Sequence, residues 1–350
     1  MSEKKQKLTE ISELGEFGLI NHITKNVKTK HKNTLKGIGD DAAVIDHGNT
    51  CSVVTTDLLL EGIHFNLIYT PLKHLGYKSV VVNLSDVYAM NAIPKQITVS
   101  IAISGKFAVE HVEQIYEGIQ LACEHYDVDL IGGDTSSSLT GLAISVTAIG
   151  EAKKEDIAYR NTAKKNDIVC VTGNLGSAYM GLQLLEREKE IFKANPTAQP
   201  SFEDYDYILE RQLKPEARKD IIELLQRLGI KPTSMIDISD GLSSEIMHIC
   251  NKSDVGCKIF QDKIPVDAET SQMAEEFNIE PLIAALNGGE DYELLFTIDI
   301  KDLDKIKDHE IIHPIGHIAD KEHGAVMITS AGQSIPLQAQ GWNQMNKKEE

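Results

Sequence analysis

Apolar residues alternate with small polar residues in several parts of the chain, and this period of two predicts β-strands. The alternation is clearest at 97–103 (ITVSIAI) and 142–150 (LAISVTAIG). The β-rich run CSVVTTDLLLEG (51–62) ends in polar residues, and VDLIGGD (128–134) should be a strand that ends in a glycine turn. Three later apolar runs also predict strands: YELLFTI (292–298), IIHPIGHI (311–318) and AVMIT (325–329).

Other stretches place apolar residues three or four positions apart, which predicts amphipathic helices. One such helix should end near Tyr126, and another should cover 73–90 and end before Pro94. Shorter helices are expected at ELGEFGLINHI (13–23) and EARKDIIELLQRLG (216–229). Two stretches read as a strand, a glycine turn and a helix: DIVCVTGNLGSAYMGLQLL (167–185) and SMIDISDGLSSEIMHIC (234–250).

A highly polar stretch at 151–166 separates two α/β halves. We therefore predict domains at 1–150 and 151–345, followed by a frayed tail at 346–350. The proline-bearing, polar stretch 189–215 reads as a surface insertion or loop, and its core at 189–206 looks longer than the fold needs.

Composition narrows the class of protein. The 350 residues are 41% hydrophobic and 25% charged, which is typical of a soluble globular protein. The net charge of -18 argues against nucleic-acid binding, because such proteins normally carry a basic face. Five scattered cysteines without a CxxC pair argue against a disulfide framework or a zinc site. No stretch approaches 18 apolar residues and the N-terminus lacks an apolar signal segment, so we expect a cytoplasmic protein without membrane contact.

Acidic residues recur after apolar strands or in glycine turns, where α/β folds carry their binding groups. Converging carboxylates repel one another unless a cation neutralises them, and hard oxygen ligands suit Mg²⁺ or Ca²⁺. No EF-hand loop is present, and Mg²⁺ is typically shared with substrate phosphates. Any single Asp could instead serve a turn or a helix cap. The acids are Asp40, Asp41, Asp57, Asp86, Asp134, Asp237, Asp240, Glu290 and Asp291.

Phosphate-binding loops of the usual form are missing, since the sequence has neither a P-loop nor a GxGxxG fingerprint. Glycine turns such as GIG, IGGD, TGNLG, SDGLSS and NGGED could let backbone N–H groups approach an anion, although each one alone could be an ordinary turn. We find no convincing Ser/His/Asp or Cys/His set, and therefore expect no protein nucleophile.

Six segments in this order resemble the thiamine-monophosphate kinase family: GIGDDAAV, TTDLLLEGIHF, NLSDVYAMNA, IGGDTSSS, DISDGLSSE and GGEDYELLF. The resemblance covers residues 16–342. The GDD and GGD pieces also occur in a wider superfamily that includes aminoimidazole ribonucleotide synthetase, whereas the TTDLLLEGIHF, NLSD and GEDYELLF segments are more particular to the thiamine enzyme.

This resemblance implies an α/β (α+β), two-domain fold of the aminoimidazole ribonucleotide synthetase type. The N-terminal mixed sheet would pair with its copy in a homodimer and bind ATP and Mg²⁺, and the C-terminal α/β domain would complete the active site. The implied reaction is ATP-dependent phosphorylation of thiamine monophosphate to thiamine diphosphate, the last step of its biosynthesis. Several Mg²⁺ ions would assist in-line transfer, which needs positioning and charge neutralisation more than a protein nucleophile.

The resemblance also implies roles for individual residues, motif by motif. The metal ligands would be Asp41, Thr55, Thr56, Asp57, Asp86, Asp134, Asp237 and Asp240. The ATP contacts would be Gly133, Asp134, Arg160, Ser239 and Tyr116. The contacts to thiamine monophosphate would be His64, Glu290 and Trp342.

Plainer interpretations remain open for several of these residues. His64 could be a partly buried structural histidine, Trp342 a core filler, and Tyr116 a packing residue on the apolar side of its helix. Arg160 could be solvated, and Asp40 could support a ligand or a turn instead of binding metal.

Two other functions also remain open at this point. One is a different enzyme of the superfamily with another phosphate acceptor. The second is an acidic protein that binds divalent cations without catalysis, and it would need the carboxylates but not Ser239, Arg160 or Trp342.

Overall fold

The computed structural model of the chain describes residues 11, 14–197, 202 and 204–339. These residues form two β-sheets with helices packed on them, which confirms the predicted α/β class. The strands of the first sheet lie between Thr34 and Ala152, and those of the second lie between Ile168 and Pro336. The polar stretch at 151–166 therefore connects the two sheets.

The first sheet is mixed, as predicted. Within the described residues its strands are β1 (Thr34–Lys36), β2 (Ala43–Asp46), β3 (Cys51–Leu60), β4 (Ile93–Ser104), β5 (Asp129–Ser138) and β6 (Ala143–Ala152). Their spatial order is β1-β2-β3-β6-β4-β5. Only the β4–β5 pair is parallel among these strands, and β5 lies at an edge.

The second sheet follows the order β13-β12-β9-β11-β7-β10-β8, once its strands are numbered along the chain. These strands are β7 (Ile168–Thr172), β8 (Ser234–Asp237), β9 (Gly256–Phe260), β10 (Leu294–Ile298), β11 (Ile312–Ala319), β12 (Ala325–Ile328) and β13 (Ser334–Pro336). The strands predicted near 292–298, 311–318 and 325–329 are thus confirmed.

Helices cover both sheets, and those predicted at 13–23, 73–90 and 216–229 are confirmed. The α-helices of the described residues are α1 (Gly15–Thr24), α2 (Leu72–Ala89), α3 (Val109–Tyr126), α4 (Ser177–Ala194), α5 (Asp206–Leu213), α6 (Lys219–Leu228), α7 (Leu242–Ser253), α8 (Ala268–Glu276) and α9 (Pro281–Asn287). Short 3₁₀ helices occupy Gln261–Lys263, Ile300–Lys305 and Lys321–His323. None of the helices in this part of the chain has the length and apolar character needed to cross a membrane.

Helix α2 lies at the centre of the molecule. It packs against α3, against β3, β4 and β6 of the first sheet, and against β8 of the second. Because it contacts elements on several sides, most of its residues from Leu75 to Ala89 are buried. Its contact with α3 is close: a Cβ added at Gly118 would lie 1.9 Å from the carbonyl oxygen of Lys73. The helix therefore brings the NLSD segment between the two sheets.

One apolar core extends across both halves of the chain. It includes Leu84 of α2 and Val146 of the first sheet, together with Ile221 and Phe296 of the second half. Complete burial of each such side chain contributes roughly 1.5–3 kcal/mol. The predicted boundary near residue 150 separates the two sheets but does not separate this core, so the domain boundaries stay a prediction.

The predicted glycine turn after VDLI is wrong. Strand β5 continues through both glycines to Ser138, because Gly133 pairs with Val99 and Asp134 with Ser100 of β4. The strands approach so closely here that a Cβ at Gly133 would lie 1.8 Å from the Val99 carbonyl oxygen. Asp134 thus lies within a strand.

Pro94 lies within a strand, although the sequence suggested only that it follows the end of a helix. It follows the end of α2, as expected, but it belongs to β4, opposite Gly150. The register shifts between Pro94 and Gln96, and such a bulge accommodates a residue that has no N–H to donate.

The prediction of a loop at 189–215 is wrong for most of this stretch. Helix α4 continues to Ala194, and α5 covers Asp206–Leu213; residues 198–201 and 203 lie outside the described residues. Ile208 of α5 is buried against Met180 and Leu184 of α4. Few apolar residues carry this contact, which explains why the periodicity did not reveal the helix.

Candidate functional site

Three carboxylates meet between the two sheets. Asp41 follows the GIG turn, Asp86 lies in the last turn of α2, and Asp237 ends β8. One oxygen from each lies within 4.8 Å of the others, an arrangement that could hold a metal ion. The fold therefore brings together three of the predicted ligands from segments far apart in the sequence.

Hydroxyl groups hold two of these carboxylates in place. Thr55 donates a hydrogen bond to Oδ2 of Asp86 across 2.5 Å, and Ser85 donates one to Oδ2 of Asp237 across 2.6 Å. Asp237 pairs with Leu294 of β10, and all four residues of β8 are buried. Neutral hydroxyl donors orient the carboxylates without neutralising their charge.

Burial and mutual repulsion make the ionised form of this cluster unfavourable. Burial raises the pKa of Asp41 to about 7; Arg160 opposes this effect, and Asp237 and Asp40 add to it. Burial also raises the pKa of Asp237 to about 6. The pKa of Asp86 is raised well above its usual value by burial and then by Asp57, Asp237 and Asp41. The protein itself supplies too little positive charge here.

Arg160 provides part of the missing charge. Its Nη2 lies 2.5 Å from Oδ1 of Asp41, and its Nε lies 3.6 Å from Oδ1 of Asp40. Lys36 Nζ lies 2.8 Å from the other oxygen of Asp40. The solvated interpretation of Arg160 is therefore wrong, since its side chain is only 13% exposed. Asp40 is held by two cations, whereas Asp41 faces the cluster.

Asp57 lies next to the cluster, although not at a strand end as the sequence suggested. It is within β3, where its backbone N–H donates to Oδ1 of Asn83 across 2.9 Å. Burial raises the pKa of Asp57 to about 6. Residues on a strand alternate between faces, so Thr55 and Asp57 share the face that packs on α2.

Thr56 points to the opposite face of the sheet. Its hydroxyl donates to the carbonyl oxygen of Val146 across 3.1 Å and contacts the hydroxyl of Thr147. The hydroxyl of Thr56 is therefore not a ligand in the cluster, and only its backbone carbonyl remains as a candidate.

Asp134 also lies on that opposite face. It pairs with Ser100, Ser100 pairs with Ser145, and Ser145 pairs with Leu58 of β3. Cross-strand partners share a face, so Asp134 lies on the face of Leu58 and not on that of Asp57. The fold of one chain therefore does not bring Asp134, with its neighbour Gly133, to the three carboxylates.

The loop after β8 carries Ser239 and Asp240. A buried carboxylate, Glu245 of α7, organises this loop: its Oε1 accepts from the backbone N–H of Asp240 at 3.0 Å and from the Ser239 hydroxyl at 3.4 Å. Burial raises the pKa of Asp240 to about 6, and the charges of Glu16 and Glu290 add to the effect.

His64 and Glu290 lie on another side of the site, where their charges interact. Nδ1 of His64 accepts from the backbone N–H of Leu60 at 3.0 Å, and burial lowers the pKa of the imidazole. Glu290 contacts Lys78 of α2 and Gln212 of α5. Trp342 lies outside the described residues.

Tyr116 packs, half-buried, against the large core from α3. This position agrees with the interpretation of Tyr116 as a packing residue. Among the described residues, Tyr116 makes no contact with the acid cluster.

Three residues of the site escaped the sequence interpretation: Lys78, Gln212 and Glu245. Lys78 had a usable signal, because it is a charged residue within an otherwise buried helix. Glu245 belongs to the DISDGLSSE segment, but only the structure shows that it accepts hydrogen bonds from the loop after β8. Gln212 lies in the stretch that was predicted to be a surface loop.

Comparison with known proteins supports the resemblance found in the sequence. The family model described as AIR synthase related protein, N-terminal domain, matches residues 39–152. The thiamine-monophosphate kinase of Bacillus subtilis (strain 168) is 35% identical over 337 residues, which cover 94% of this chain and 99% of the relative. That of Aquifex aeolicus (strain VF5) is 36% identical over 287 residues, covering 82% and 87%.

A solved structure agrees with these sequence matches. The structure of AaThiL complexed with AMPPCP and TMP has a TM-score of 0.83 and 32% sequence identity, and the match covers 96% of this chain and 99% of that one. Since sequence and fold agree over nearly the full length, this chain belongs to the thiamine-monophosphate kinase family.

Proposed function

We propose that the buried carboxylates hold Mg²⁺ ions that assist the reaction of this family. That reaction is the phosphorylation of thiamine monophosphate by ATP to give thiamine diphosphate. Family membership makes the chain a phosphotransferase whose acceptor is a phosphate group, and decides against a cation-binding protein without catalysis. The observation that carries the metal proposal is the convergence of Asp41, Asp86 and Asp237 within 4.8 Å.

The residues present fit a hard divalent cation. All three converging groups are carboxylates, and no Cys or His belongs to the group. Oδ2 of Asp41 is buried and has no hydrogen-bond partner among the described residues. A buried carboxylate oxygen without a donor is costly, and a bound cation would satisfy it.

Asp41, Asp86 and Asp237 would hold the metal, with Asp57 and Asp240 beside them and the backbone carbonyl of Thr56 as a further candidate. Bound Mg²⁺ would neutralise the phosphoryl oxygens of both substrates and hold them in line for transfer. Thr55 and Ser85 orient the carboxylates through their hydrogen bonds. Arg160, which already faces the cluster, would contact the ATP phosphates, and Ser239 would contact ATP from the neighbouring loop.

The substrate end of the site would be formed by His64, Glu290 and Trp342. A carboxylate and an aromatic face both suit the cationic thiazolium ring of thiamine monophosphate. No protein nucleophile is needed, because a phosphate oxygen of thiamine monophosphate is itself the attacking group and ADP is the leaving group.

We assign the ATP contacts of Gly133, Asp134 and Tyr116 to a homodimer. Strand β5 is an edge strand, exposed along nearly its whole length, with Ile131 57% exposed. Its unpaired N–H and C=O groups can pair with a second copy of the chain. In such a dimer the first sheet is shared, and the GGD segment can reach an ATP site beside it. Light scattering coupled to size-exclusion chromatography tests this: a monomer at micromolar concentration contradicts it.

We also propose a role for each of the two predicted domains, and a cytoplasmic location for the protein. The 1–150 part would bind ATP and Mg²⁺, form the dimer and supply His64, and the 151–345 part would supply Asp237, Ser239, Glu290 and Trp342.

An enzyme assay tests the proposal directly. The purified chain is incubated with ATP, thiamine monophosphate and Mg²⁺, and thiamine diphosphate and ADP are measured. We expect equal amounts of the two products, loss of turnover on treatment with EDTA, and recovery when Mg²⁺ is restored. Turnover that survives EDTA contradicts the metal assignment.

A further inference from the structure

The segment around Glu290 has an unusual backbone. Gly289, Glu290 and Tyr292 have φ angles of 72°, 57° and 50°. For residues with a side chain the left-handed region costs roughly 1–2 kcal/mol each, so such a conformation persists only where the surroundings enforce it. A Cβ at Gly289 would lie 2.5 Å from the carbonyl oxygen of Ser239, which shows how closely this segment packs on the loop after β8.

Backbone hydrogen bonds join the segment 289–292 to the end of β8 and the loop that follows it, next to the carboxylate cluster. The N–H of Glu290 donates to the carbonyl of Ser239 at 2.7 Å, and the N–H of Tyr292 donates to that of Ile238 at 2.9 Å. The main chain at Glu290 is therefore fixed relative to Asp237 and its loop.

Buried acids anchor the segment on its other side. Asp291 accepts from the N–H of Gly176 at the start of α4, across 2.7 Å. Glu293 accepts from Thr172 at 2.5 Å and pairs with Arg211 of α5 at 3.0 Å and with Arg218 at 2.6 Å. Both acids are about 1% exposed. These contacts account for the conformation of the backbone but not for the direction of the Glu290 side chain.

Two side chains hold the Glu290 carboxylate itself. Nε2 of Gln212 donates to Oε2 at 2.9 Å, and Nζ of Lys78 lies 3.3 Å from Oε1. Lys78 also donates to the backbone carbonyl of Gln212 at 2.9 Å, which closes a triangle of three contacts. The Lys78 side chain is 6% exposed, whereas that of Glu290 is 30% exposed. Both oxygens of the carboxylate are thus held by side chains of the interior, while part of the Glu290 side chain stays accessible to solvent.

A fully buried ion pair often adds little net stability, because desolvation offsets the attraction between its charges. This pair is asymmetric, because a buried ammonium restrains a carboxylate that stays accessible. We propose that Lys78 and Gln212 are positioning residues for Glu290, which set the direction and charge environment of this carboxylate for binding thiamine monophosphate. This inference rests on the proposed substrate role of Glu290. It also gives a role to α5, part of the stretch that the sequence presented as an insertion.

The test compares Gln212→Ala with Glu210→Ala, a matched change on the same helix whose side chain is 63% exposed and contacts Lys214. The wild-type chain is assayed first, so a failure of the proposed function is recognised before any variant is measured. For Gln212→Ala we expect the KM for thiamine monophosphate to rise about tenfold, whereas kcat and the KM for ATP change less than threefold. Glu210→Ala should behave as wild type.

A double-mutant cycle distinguishes positioning from a general structural role. Gln212→Ala and Lys78→Gln are each combined with Glu290→Gln. If Lys78 and Gln212 act through the Glu290 carboxylate, that carboxylate is already altered in Glu290→Gln. Adding Gln212→Ala or Lys78→Gln to it should then raise the KM for thiamine monophosphate by less than a further twofold. Full additivity of the changes in KM overturns the proposal. A tenfold fall in kcat with an unchanged KM for thiamine monophosphate in Gln212→Ala overturns it as well. Should Lys78→Gln not fold, the Gln212→Ala cycle alone decides the result.

Discussion

Thr55 and Asp86 connect the middle of β3 to the last turn of α2 through a 2.5 Å hydrogen bond from the Thr55 hydroxyl to Oδ2 of Asp86. This contact fixes one carboxylate of the cluster with respect to the sheet. Thr56, the next residue of β3, donates a hydrogen bond from its hydroxyl on the opposite face of the sheet, to the carbonyl oxygen of Val146. The two adjacent threonines therefore carry the same hydroxyl donor, but only that of Thr55 lies on the face of the acid cluster.

Thr55→Val should lower kcat about tenfold, because the Asp86 carboxylate loses the donor that orients it while the side chain keeps its β-branched shape. Thr56→Val is the matched control: it removes a hydroxyl from the outer face and leaves the backbone carbonyl, so kcat should stay within about twofold. Steady-state assays at saturating ATP and Mg²⁺ measure both. Equal losses in the two variants would show that the orientation of Asp86 is not what matters.

Asp86→Asn should abolish turnover, with a loss in kcat on the order of 100-fold or more, since the cluster loses one ligand charge. The variant should fold, because the amide can still accept from Thr55. Asp304→Asn, an exposed carboxylate paired with Lys307, serves as the control for a change of charge alone. A kcat near the wild-type value for Asp86→Asn would refute the assignment of the cluster as the metal site.

Asp237→Asn should stabilise the metal-free protein while it impairs metal binding. Burial raises the pKa of Asp237 to about 6, so the ionised form present at pH 7 destabilises the fold. Removing that charge should increase the free energy of unfolding by about 1 kcal/mol in EDTA. The added stability that Mg²⁺ gives to the wild type should be reduced in the variant. Urea denaturation with and without Mg²⁺ measures both effects, and a variant less stable than wild type in EDTA contradicts this account.

The sequence allowed the class of fold, most elements and the acid cluster to be predicted, for identifiable reasons. Strands such as β6 and helices such as α3 carry a full period of apolar residues, because one face of each packs on the core. A single acid such as Asp41 or Asp237 could be explained by turn chemistry, so they were recognisable only because acids recur at strand ends and in glycine turns along this chain.

Side-chain direction and long-range partners were not predictable in this way. Whether Thr55 or Thr56 faces the cluster depends on the register of β3 against β6, which no local pattern specifies. The position of Asp134 depends on β5 continuing through two glycines, whose local preference is a turn. Lys78 and Gln212 meet only because α2 and α5 pack together, 134 residues apart in sequence.

Trp342→Ala should raise the KM for thiamine monophosphate about tenfold and leave the KM for ATP unchanged, because an aromatic face contacts a cationic ring mainly through desolvation and cation–π attraction. Trp342→Phe should retain most of the affinity, which separates loss of the ring from loss of the indole N–H. An unchanged KM in Trp342→Ala would remove this residue from the site.

Glu216→Gln should destabilise the protein in a pH-dependent way. Burial alone would raise the pKa of Glu216, but hydrogen bonds from Tyr126 and Tyr77 and the contact with Lys214 outweigh it, so the pKa is lowered. The two tyrosine hydroxyls donate to the same oxygen, Oε2, at 2.5 and 2.7 Å. Since the folded protein favours the ionised carboxylate, the stabilisation is present above the usual pKa of about 4.3 and is lost as the pH falls through the lower folded value.

We therefore expect Glu216→Gln to lower the free energy of unfolding by about 1 kcal/mol at pH 7, a value reduced for a side chain that is partly exposed to solvent. The difference from wild type should shrink below about pH 4. Glu210→Gln, which changes a more exposed carboxylate on α5, is the control and should differ little from wild type at any pH. Guanidinium denaturation between about pH 3 and pH 8 measures the three proteins. A difference that stays constant over this range would show that the tyrosines stabilise the shape of the Glu216 side chain and not its charge.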